Sequence, residues 1–219
     1  MAAYNSSRGS EHQGLEWWLR FPVVYEAIQR AMGKNKLRRR FVREYVEARS
    51  GERLLDIGCG PGDLSTFCHD VDYIGFDVNR AYINSAQRRF GDHGAFHTGA
   101  IDQLAEHLEG SCDITVVVGV LHHVSDEAAV ELVKAARRCL REGGRFIAVE
   151  PHVYAGQHPV ARALITHDRG NFVRDEASYA DLIATSFDDV RTVRDEHLLW
   201  VPYTLSVYSA RKKRSSELS

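Results

Sequence analysis

From residue 53 to residue 150, short apolar runs alternate with amphipathic stretches, and this rhythm restricts the fold more than any other feature of the chain. Runs at 53–59, 73–78, 95–98, 113–120 and 145–150 have the length of buried strands, whereas 64–69, 80–90, 101–108 and 126–140 carry helical spacing. Strands separated by helices pair in parallel, because each crossover returns the chain to the same end of the sheet. The pattern predicts an α/β fold: a doubly wound, mostly parallel sheet of about seven strands with helices on both faces. Two later alternating segments, 190–198 and 204–210, are expected to supply the last two strands. At 126–140 the helix is expected to end on Gly143-Gly144, since glycine accepts the left-handed conformation that terminates helices.

The flanking segments read differently. Residues 1–13 are small and polar and are expected to be mobile, as is the tail 213–219. Across 14–50 apolar residues recur at helical spacing, at Trp17, Trp18, Phe21, Val24, Ile28, Leu37, Phe41 and Tyr45, and Gly33 divides this N-terminal extension into two helices. The main domain spans 51–212, and its rhythm lapses over 151–174 before a helix at 176–185. A long irregular connection of that kind is more often functional than idle.

At 219 residues the chain suits one domain, and 44% hydrophobic with 26% charged residues is ordinary for a globular protein. No apolar run reaches the roughly 18 residues of a spanning helix, and the first residues lack the apolar core of a secretion signal. A cytoplasmic location is the expectation. A net charge of -2 provides no overall positive field for nucleic acid, although Lys34 to Arg43 and Arg211 to Arg214 are locally basic. These runs read as a solvated helix face and a frayed tail, with contact to nucleic acid or an acidic membrane as the alternative. Cys59, Cys68, Cys112 and Cys139 form no C-x-x-C pair, so neither a disulfide framework nor a metal site is expected.

Leu54-Leu55-Asp56-Ile57-Gly58-Cys59-Gly60-Pro61-Gly62 places a glycine-rich turn at the end of the first buried run. Glycines there let the backbone approach a ligand closely. Asp77 closes the second strand, where a carboxylate accepts hydrogen bonds from the hydroxyls of a ribose. Charge then selects the nucleoside. A pyrophosphate favours bare amides at a helix N-terminus, yet Asp56 and Asp63 flank this turn. S-adenosyl-L-methionine, which carries a sulfonium and an ammonium and no phosphate, suits the acidic turn better than NAD.

The string LLDIGCGPG, with Asp77, Val120-Leu121-His122-His123 and Leu140-Arg141-Glu142-Gly143-Gly144, resembles the class I, Rossmann-like S-adenosylmethionine-dependent methyltransferases, above all those acting on small molecules. The similarity is close over about residues 50–151. It implies that Asp56, Gly58, Cys59, Gly60 and Gly62 hold the methionine end of the cofactor and that Asp77 binds its ribose. Val78, Ala100, Ile101, Gly119 and Val120 complete the implied cofactor site. Ala100 departs from the family, whose members often carry an acid there to take the adenine amine. Asp102 or backbone groups then substitute, with Ile101 packed on the ring.

The resemblance implies an in-line transfer of a methyl group to a small-molecule acceptor, at a hydroxyl or an amine, which gains most from orientation. A hydroxyl also profits from a base, and His122, His123 and His167 are the candidates. His122 and His123 follow the fourth strand, at the carboxyl edge of the sheet. His152, His158 and His167 lie in 151–174, the expected acceptor-side insertion, together with Asp168, Arg169 and Arg174. A guanidinium of that group either holds an anionic acceptor or shapes the loop through internal pairing. Trp17, Trp18, Phe21 and Tyr25 belong to a helical lid or to the core.

Rival readings fare worse or stay in reserve. A short-chain reductase needs a tyrosine and lysine four apart on a helix, and the single such pair, Tyr208 and Lys212, falls in a strand and the tail. Metal-assisted transfer wants acids where Gly119-Val120 stands. Val118-Gly119-Val120-Leu121 is unlike the motif of nucleic-acid amino methyltransferases. The reserve readings are a non-catalytic cofactor-binding subunit and an RNA or protein methyltransferase. The sequence is silent on oligomeric state.

Overall fold

The structure, a computed structural model, describes residues 33–99, 101–166, 171–200 and 202–213. Helix α1 (Lys34–Phe41) opens the described chain and runs into a π-helical turn, Val42–Val46. The main domain follows as β1 (Arg53–Ile57), a 3-10 helix (Asp63–Phe67), β2 (Asp72–Asp77), α2 (Arg80–Phe90), β3 (Ala95–Thr98), α3 (Ile101–His107) and β4 (Cys112–Val118). A 3-10 turn (Leu121–His123) leads to α4 (Asp126–Cys139), β5 (Leu140–Pro151), α5 (Pro159–Thr166), α6 (Glu176–Ala184), β6 (Arg191–Asp195) and β7 (Leu205–Arg211). Side chains at helix starts take orphan amides: Asn79 accepts from Ala81 at 2.9 Å and Asp175 from Ser178 at 2.7 Å.

The seven strands form one sheet in the order β3-β2-β1-β4-β5-β7-β6. The first five are parallel, and β7 runs antiparallel between β5 and β6. This is the doubly wound, mostly parallel architecture expected from the alternation. Winding outward from β1 in both directions makes β1 and β4 neighbours, with Ile57 beside Val117. Their following turns therefore leave the same edge of the sheet side by side, at the point where the strand order reverses.

Strand pleating sends neighbouring residues to opposite faces, and both faces are covered. Leu55, Ile57, Val117 and Phe146 pack with Val133 and Ala136 of α4 and Tyr179 and Ile183 of α6. Leu54, Ile114, Val116 and Ile147 pack with Phe41 of α1, Ile83 of α2 and Ile165 of α5. Helix α1 is thus part of the fold through Phe41, while its arginines face outward or toward the glycine turn.

Three local expectations change. The stretch 64–69 is a 3-10 helix over Asp63–Phe67, too short for an amphipathic face. Helix α4 ends at Cys139 and the chain turns extended at Leu140, whose φ and ψ are -68° and 137°. Gly143 and Gly144 therefore do not cap it. They lie inside β5, where Gly143 takes φ 74° and the pair exchanges backbone hydrogen bonds with Lys212 at 2.8 and 2.9 Å. Leu140 pairs with Cys112 before a register shift, and burying Leu140 in the sheet outweighs continuing the helix. Within 151–174, α5 begins at Pro159, a residue preorganised for a first helical turn, and buries Ala161 and Ile165. The N-terminal residues Trp17, Trp18, Phe21 and Tyr25 lie outside the described residues, as do His167, Asp168, Arg169 and the tail 214–219.

Close packing makes one glycine of the β1 turn a structural requirement. A Cβ on Gly62, at φ 82°, would lie 2.8 Å from Ala86 and from Phe96. At Gly60, φ 56°, a Cβ would meet nothing within 4 Å. Gly62→Ala is expected to destabilise the fold by about 1–3 kcal/mol through overpacking, whereas Gly60→Ala costs about 1 kcal/mol or less. Urea unfolding of both variants distinguishes them, and equal losses would show that conformation rather than contact dominates.

Candidate active site

Strand β1 stops at Ile57, and the chain turns through Gly58, Gly60 and Gly62 at φ 77°, 56° and 82°. The amides of Gly58 and Cys59 both donate to the Phe76 carbonyl, at 2.7 and 3.0 Å, which ties the turn to β2. A Cβ on Gly58 would sit 2.4 Å from Val120 Cγ2, so the turns after β1 and β4 touch here. At the end of β2, Asp77 Oδ2 accepts from the Gly60 amide at 2.9 Å and Oδ1 from the Asn79 amide at 2.8 Å. Each oxygen retains accepting capacity. Val78, next in the chain, is 78% exposed, and a Cβ built on Gly60 would meet nothing within 4 Å.

Beneath the turn lies Asp56, only 2% exposed and accepting a hydrogen bond from the Tyr73 hydroxyl at 2.5 Å. Burial pushes its carboxyl up to about 7, with Asp77 adding to the rise and Tyr73 and Arg38 opposing it. Arg38 of α1 reaches into the same region. Its Nη2 lies 3.3 Å from Asp63 Oδ2, and Arg89 Nη2 lies 2.7 Å from Asp63 Oδ1. Burial lowers the Arg38 pKa, yet a guanidinium keeps its charge, so a cation stands over two carboxylates.

The second half of the site is built on β4 and β5. Gly119, at φ 65°, turns the chain out of β4 into Leu121–His123. Glu150, fully buried at the end of β5, receives that turn. Its Oε1 accepts the amides of Val120 and Leu121, each at 2.8 Å, and its Oε2 accepts the His122 amide at 3.4 Å. His122 Nδ1 lies 2.6 Å from Oε2. The His122 ring is 4% exposed and lies 3.9 Å, centroid to centroid, from the exposed ring of His123.

Residues 54–144 match the family model described as a methyltransferase domain. Over 112 residues the chain is 39% identical to an uncharacterized 37.1 kDa protein in a Streptomyces fradiae transposon, a match covering 48% of this chain and about a third, 32%, of that protein's length. It is 27% identical over 164 residues to a ubiquinone biosynthesis O-methyltransferase of Acinetobacter baylyi, covering 68% of each chain. In fold it is similar to the pyocyanin biosynthetic protein PhzM, with TM-score 0.69, 16% identity and coverage of 90% of this chain and 61% of that one. An S-adenosylmethionine-dependent methyltransferase from Archaeoglobus fulgidus shares the fold at TM-score 0.65 and 16% identity, covering 85% of this chain and 99% of that one.

Residues 54–144 thus carry a methyltransferase domain on a Rossmann-like fold shared with S-adenosylmethionine-dependent methyltransferases.

In this domain the sequence candidates Asp56, Gly58, Cys59, Gly60, Gly62, Asp77, Gly119 and Val120 lie along one edge of the sheet, with Val78 next to Asp77 in the chain. Cys59 packs its sulfur under the turn, 3.0 Å from where a Cβ on Gly75 would lie, and burial pushes its thiol well up. Ala100 lies outside the described residues, and Ile101 opens α3 with its side chain outside them too. His122 and His123 stand beside the glycine turn. Among the described residues no three His, Cys, Asp or Glu side chains are grouped as metal ligands, and no helix is long and apolar enough to cross a membrane.

Of the two readings of the guanidinium group in 151–174, internal pairing is the one Arg174 follows. Arg174 is not free to hold an anionic acceptor, because its guanidinium is spent on the carbonyls of Leu121, Phe172 and Val124 and on Asp126. His152 is fully buried, its ring nitrogens without hydrogen-bond partners, and its Nε2 lies 3.9 Å from Glu176 Oε1. Burial lowers the His152 pKa, which favours its neutral form. Sequence reasoning also passed over two residues. Glu150 is an acid at a strand end, like Asp77, and that position is a usable signal. Arg38 sat within a basic run and carried none.

The raised pKa of Asp56 has a definite linkage. Holding its proton more tightly when folded, Asp56 contributes stability that is full below the carboxyl's ordinary 3.8 and is lost as pH rises through about 7. Asp56→Asn removes this loss. The melting temperature of the cofactor-free variant relative to wild type is expected to rise from pH 4 to pH 7 and then level off. A constant difference across that range would show that Asp56 ionises normally.

Proposed function

We propose that the methyltransferase acts on a small molecule, at a hydroxyl or an amine, with His122 as the base for a hydroxyl acceptor. The observation that carries this reading is the buried pair of His122 and Glu150 on a turn that touches the glycine turn. A carboxylate that already accepts amides at both oxygens meets Nδ1 as another acceptor, so Nδ1 carries the proton. Nε2 then holds the lone pair that takes a proton. The ubiquinone O-methyltransferase relative supports an oxygen acceptor by analogy. His123 and His167 remain secondary candidates for acceptor contacts.

S-adenosyl-L-methionine, when bound, supplies an electrophilic methyl group for in-line displacement. In this reading the chain's own groups bind and orient. Asp77 accepts the ribose hydroxyls, and ionised Asp56 with its neighbours favours the ammonium. Arg38 takes the carboxylate, a charge-assisted bond suited to a guanidinium. Gly60 gives room for backbone approach, since no atom lies within 4 Å of where its Cβ would be. Val78, Ala100 and Ile101 flank the adenine, and Gly119 and Val120 close the methyl side. Residues 14–50 form a lid region and 151–174 the acceptor side of a single domain spanning 51–212. All four cysteines are free thiols, which suits a reducing compartment, and we place the protein in the cytoplasm.

Calorimetry with S-adenosylhomocysteine tests the cofactor contacts: Asp77→Ala is expected to weaken binding by about 1–3 kcal/mol for the lost buried hydrogen bonds. Unchanged affinity would remove Asp77 from the ribose. Radiolabelled methyl transfer to a panel of phenols, alcohols and amines, beside RNA and protein arms, tests the acceptor. Turnover on the small molecules, unaffected by chelators, is expected. His122→Gln should lower kcat by about 10²–10⁴ on a hydroxyl acceptor with S-adenosylhomocysteine affinity intact. Transfer confined to RNA or protein would overturn the small-molecule reading.

A further inference from the structure

The turn carrying His122 is three residues of 3-10 helix, a unit with little stability of its own. Its shape must come from what surrounds it. On the amide side stands Glu150, which accepts from Val120, Leu121 and His122. On the carbonyl side stands Arg174. Its Nη1 donates to the Leu121 carbonyl at 2.7 Å and to Phe172 at 3.1 Å, and its Nη2 donates to Val124 at 2.9 Å. Nε donates to Asp126 Oδ1 at 2.8 Å, and the Phe172 amide donates to the His122 carbonyl at 3.0 Å.

We propose that Arg174 is a positioning residue for His122, acting through the turn's carbonyls as the opposite-charge counterpart of Glu150. This rests on the reading of His122 as the acceptor-side base. A carboxylate on the amides and a guanidinium on the carbonyls fix a short segment along its own peptide dipoles, which neither charge achieves alone. Only 9% of the Arg174 side chain is exposed, whereas Asp126 is 80% exposed, so the carbonyl bonds are sheltered and the Asp126 bond is the wet one. Wet pairs contribute little. The Arg174 guanidinium also lies 5.5 Å from the Tyr179 ring centroid, and its amide donates to the Tyr179 hydroxyl at 3.3 Å, which anchors it to α6. The segment 171–174 and the His122 turn therefore move as one body. Order in 171–174 is thereby transmitted to the turn that carries the His122 ring.

The test uses the full chain bound to S-adenosylhomocysteine, with ¹⁵N-histidine labelling and amide hydrogen exchange. His122→Gln identifies the His122 ring signals. Arg174→Ala, with Arg174→Lys as the variant that keeps charge and folding, is expected to speed exchange at Val120, Leu121 and His122 by at least about tenfold, as loss of charge-assisted hydrogen bonds implies. Exchange at Val116, Val117 and Ile147 in the sheet should stay put, as should S-adenosylhomocysteine affinity, while the His122 ring signals shift or broaden. Asp126→Asn should leave all of these near wild type. Unchanged His122 signals and turn exchange in both Arg174 variants would overturn the proposal. A uniform rise in exchange across the sheet would overturn it equally, by making Arg174 a general structural residue. Full activity in His122→Gln would instead sink the base assignment, an outcome separable from these because the exchange readout needs no turnover.

Discussion

The contact between the turns after β1 and β4 is the constraint on which the rest depends. Parallel strands wound outward from β1 in both directions leave β1 and β4 adjacent and ending at one level. Two loops must then leave the same small area. The collision is avoided by taking the side chain off one of them: Gly58 has no Cβ, and Val120 occupies that place, where a Cβ would be 2.4 Å away. The same absence of side chains leaves the backbone open at Gly60. A ligand site appears at this edge because topology creates a crevice there and glycine keeps it from being filled.

Charge at the crevice is handled by burial with partners. Glu150 is fully buried, yet hydrogen-bond donors surround its carboxylate, so its desolvation is offset locally. Asp56 has one hydrogen bond, from Tyr73, and a distant cation in Arg38. Its pKa rises to about 7 accordingly. The two acids sit on neighbouring parts of one edge and differ in how many donors the chain gives them. A cationic ligand group near Asp56 would supply what Glu150 already has from the chain.

The central strands were legible in the sequence because burial on both faces leaves no ambiguity of period: after Arg53, β1 is apolar apart from Asp56. The glycine turn and Asp77 were legible for the same reason, being fixed to strand ends. What failed was set by tertiary partners. Gly143-Gly144 has the local chemistry of a helix stop, but the pairing of Leu140 with Cys112 ended α4 earlier. Helix α5 was hidden by the prolines and histidines around it, although Ala161 and Ile165 bury as a helical pair. For Arg174 the sequence left an anion clamp and internal pairing both open, and it did not identify the partners. Its actual partners are carbonyls some fifty residues away in the chain, at sequence separations of 53 and 50 for Leu121 and Val124, and no local pattern encodes them.

That separation explains how the acceptor edge is assembled. His122 comes from the β4 turn, Glu150 from the end of β5 and Arg174 from the approach to α6, so three successive crossings of the sheet each contribute one charged or titratable group. Ladder hydrogen bonds hold β4 beside β5, and the helix between them, α4, packs Val133 and Ala136 against the sheet core. Helix α6 fixes the third through Tyr179, which is buried in that same core and hydrogen-bonded to the Arg174 backbone. Core packing on one face of the sheet thus sets the positions of polar groups at its edge. A cavity made under Tyr179 would reach His122 through Arg174, whereas the glycine turn hangs from the Phe76 carbonyl of β2 and packs on Phe96 of the opposite face. The two halves of the site share an edge, and separate parts of the core support them.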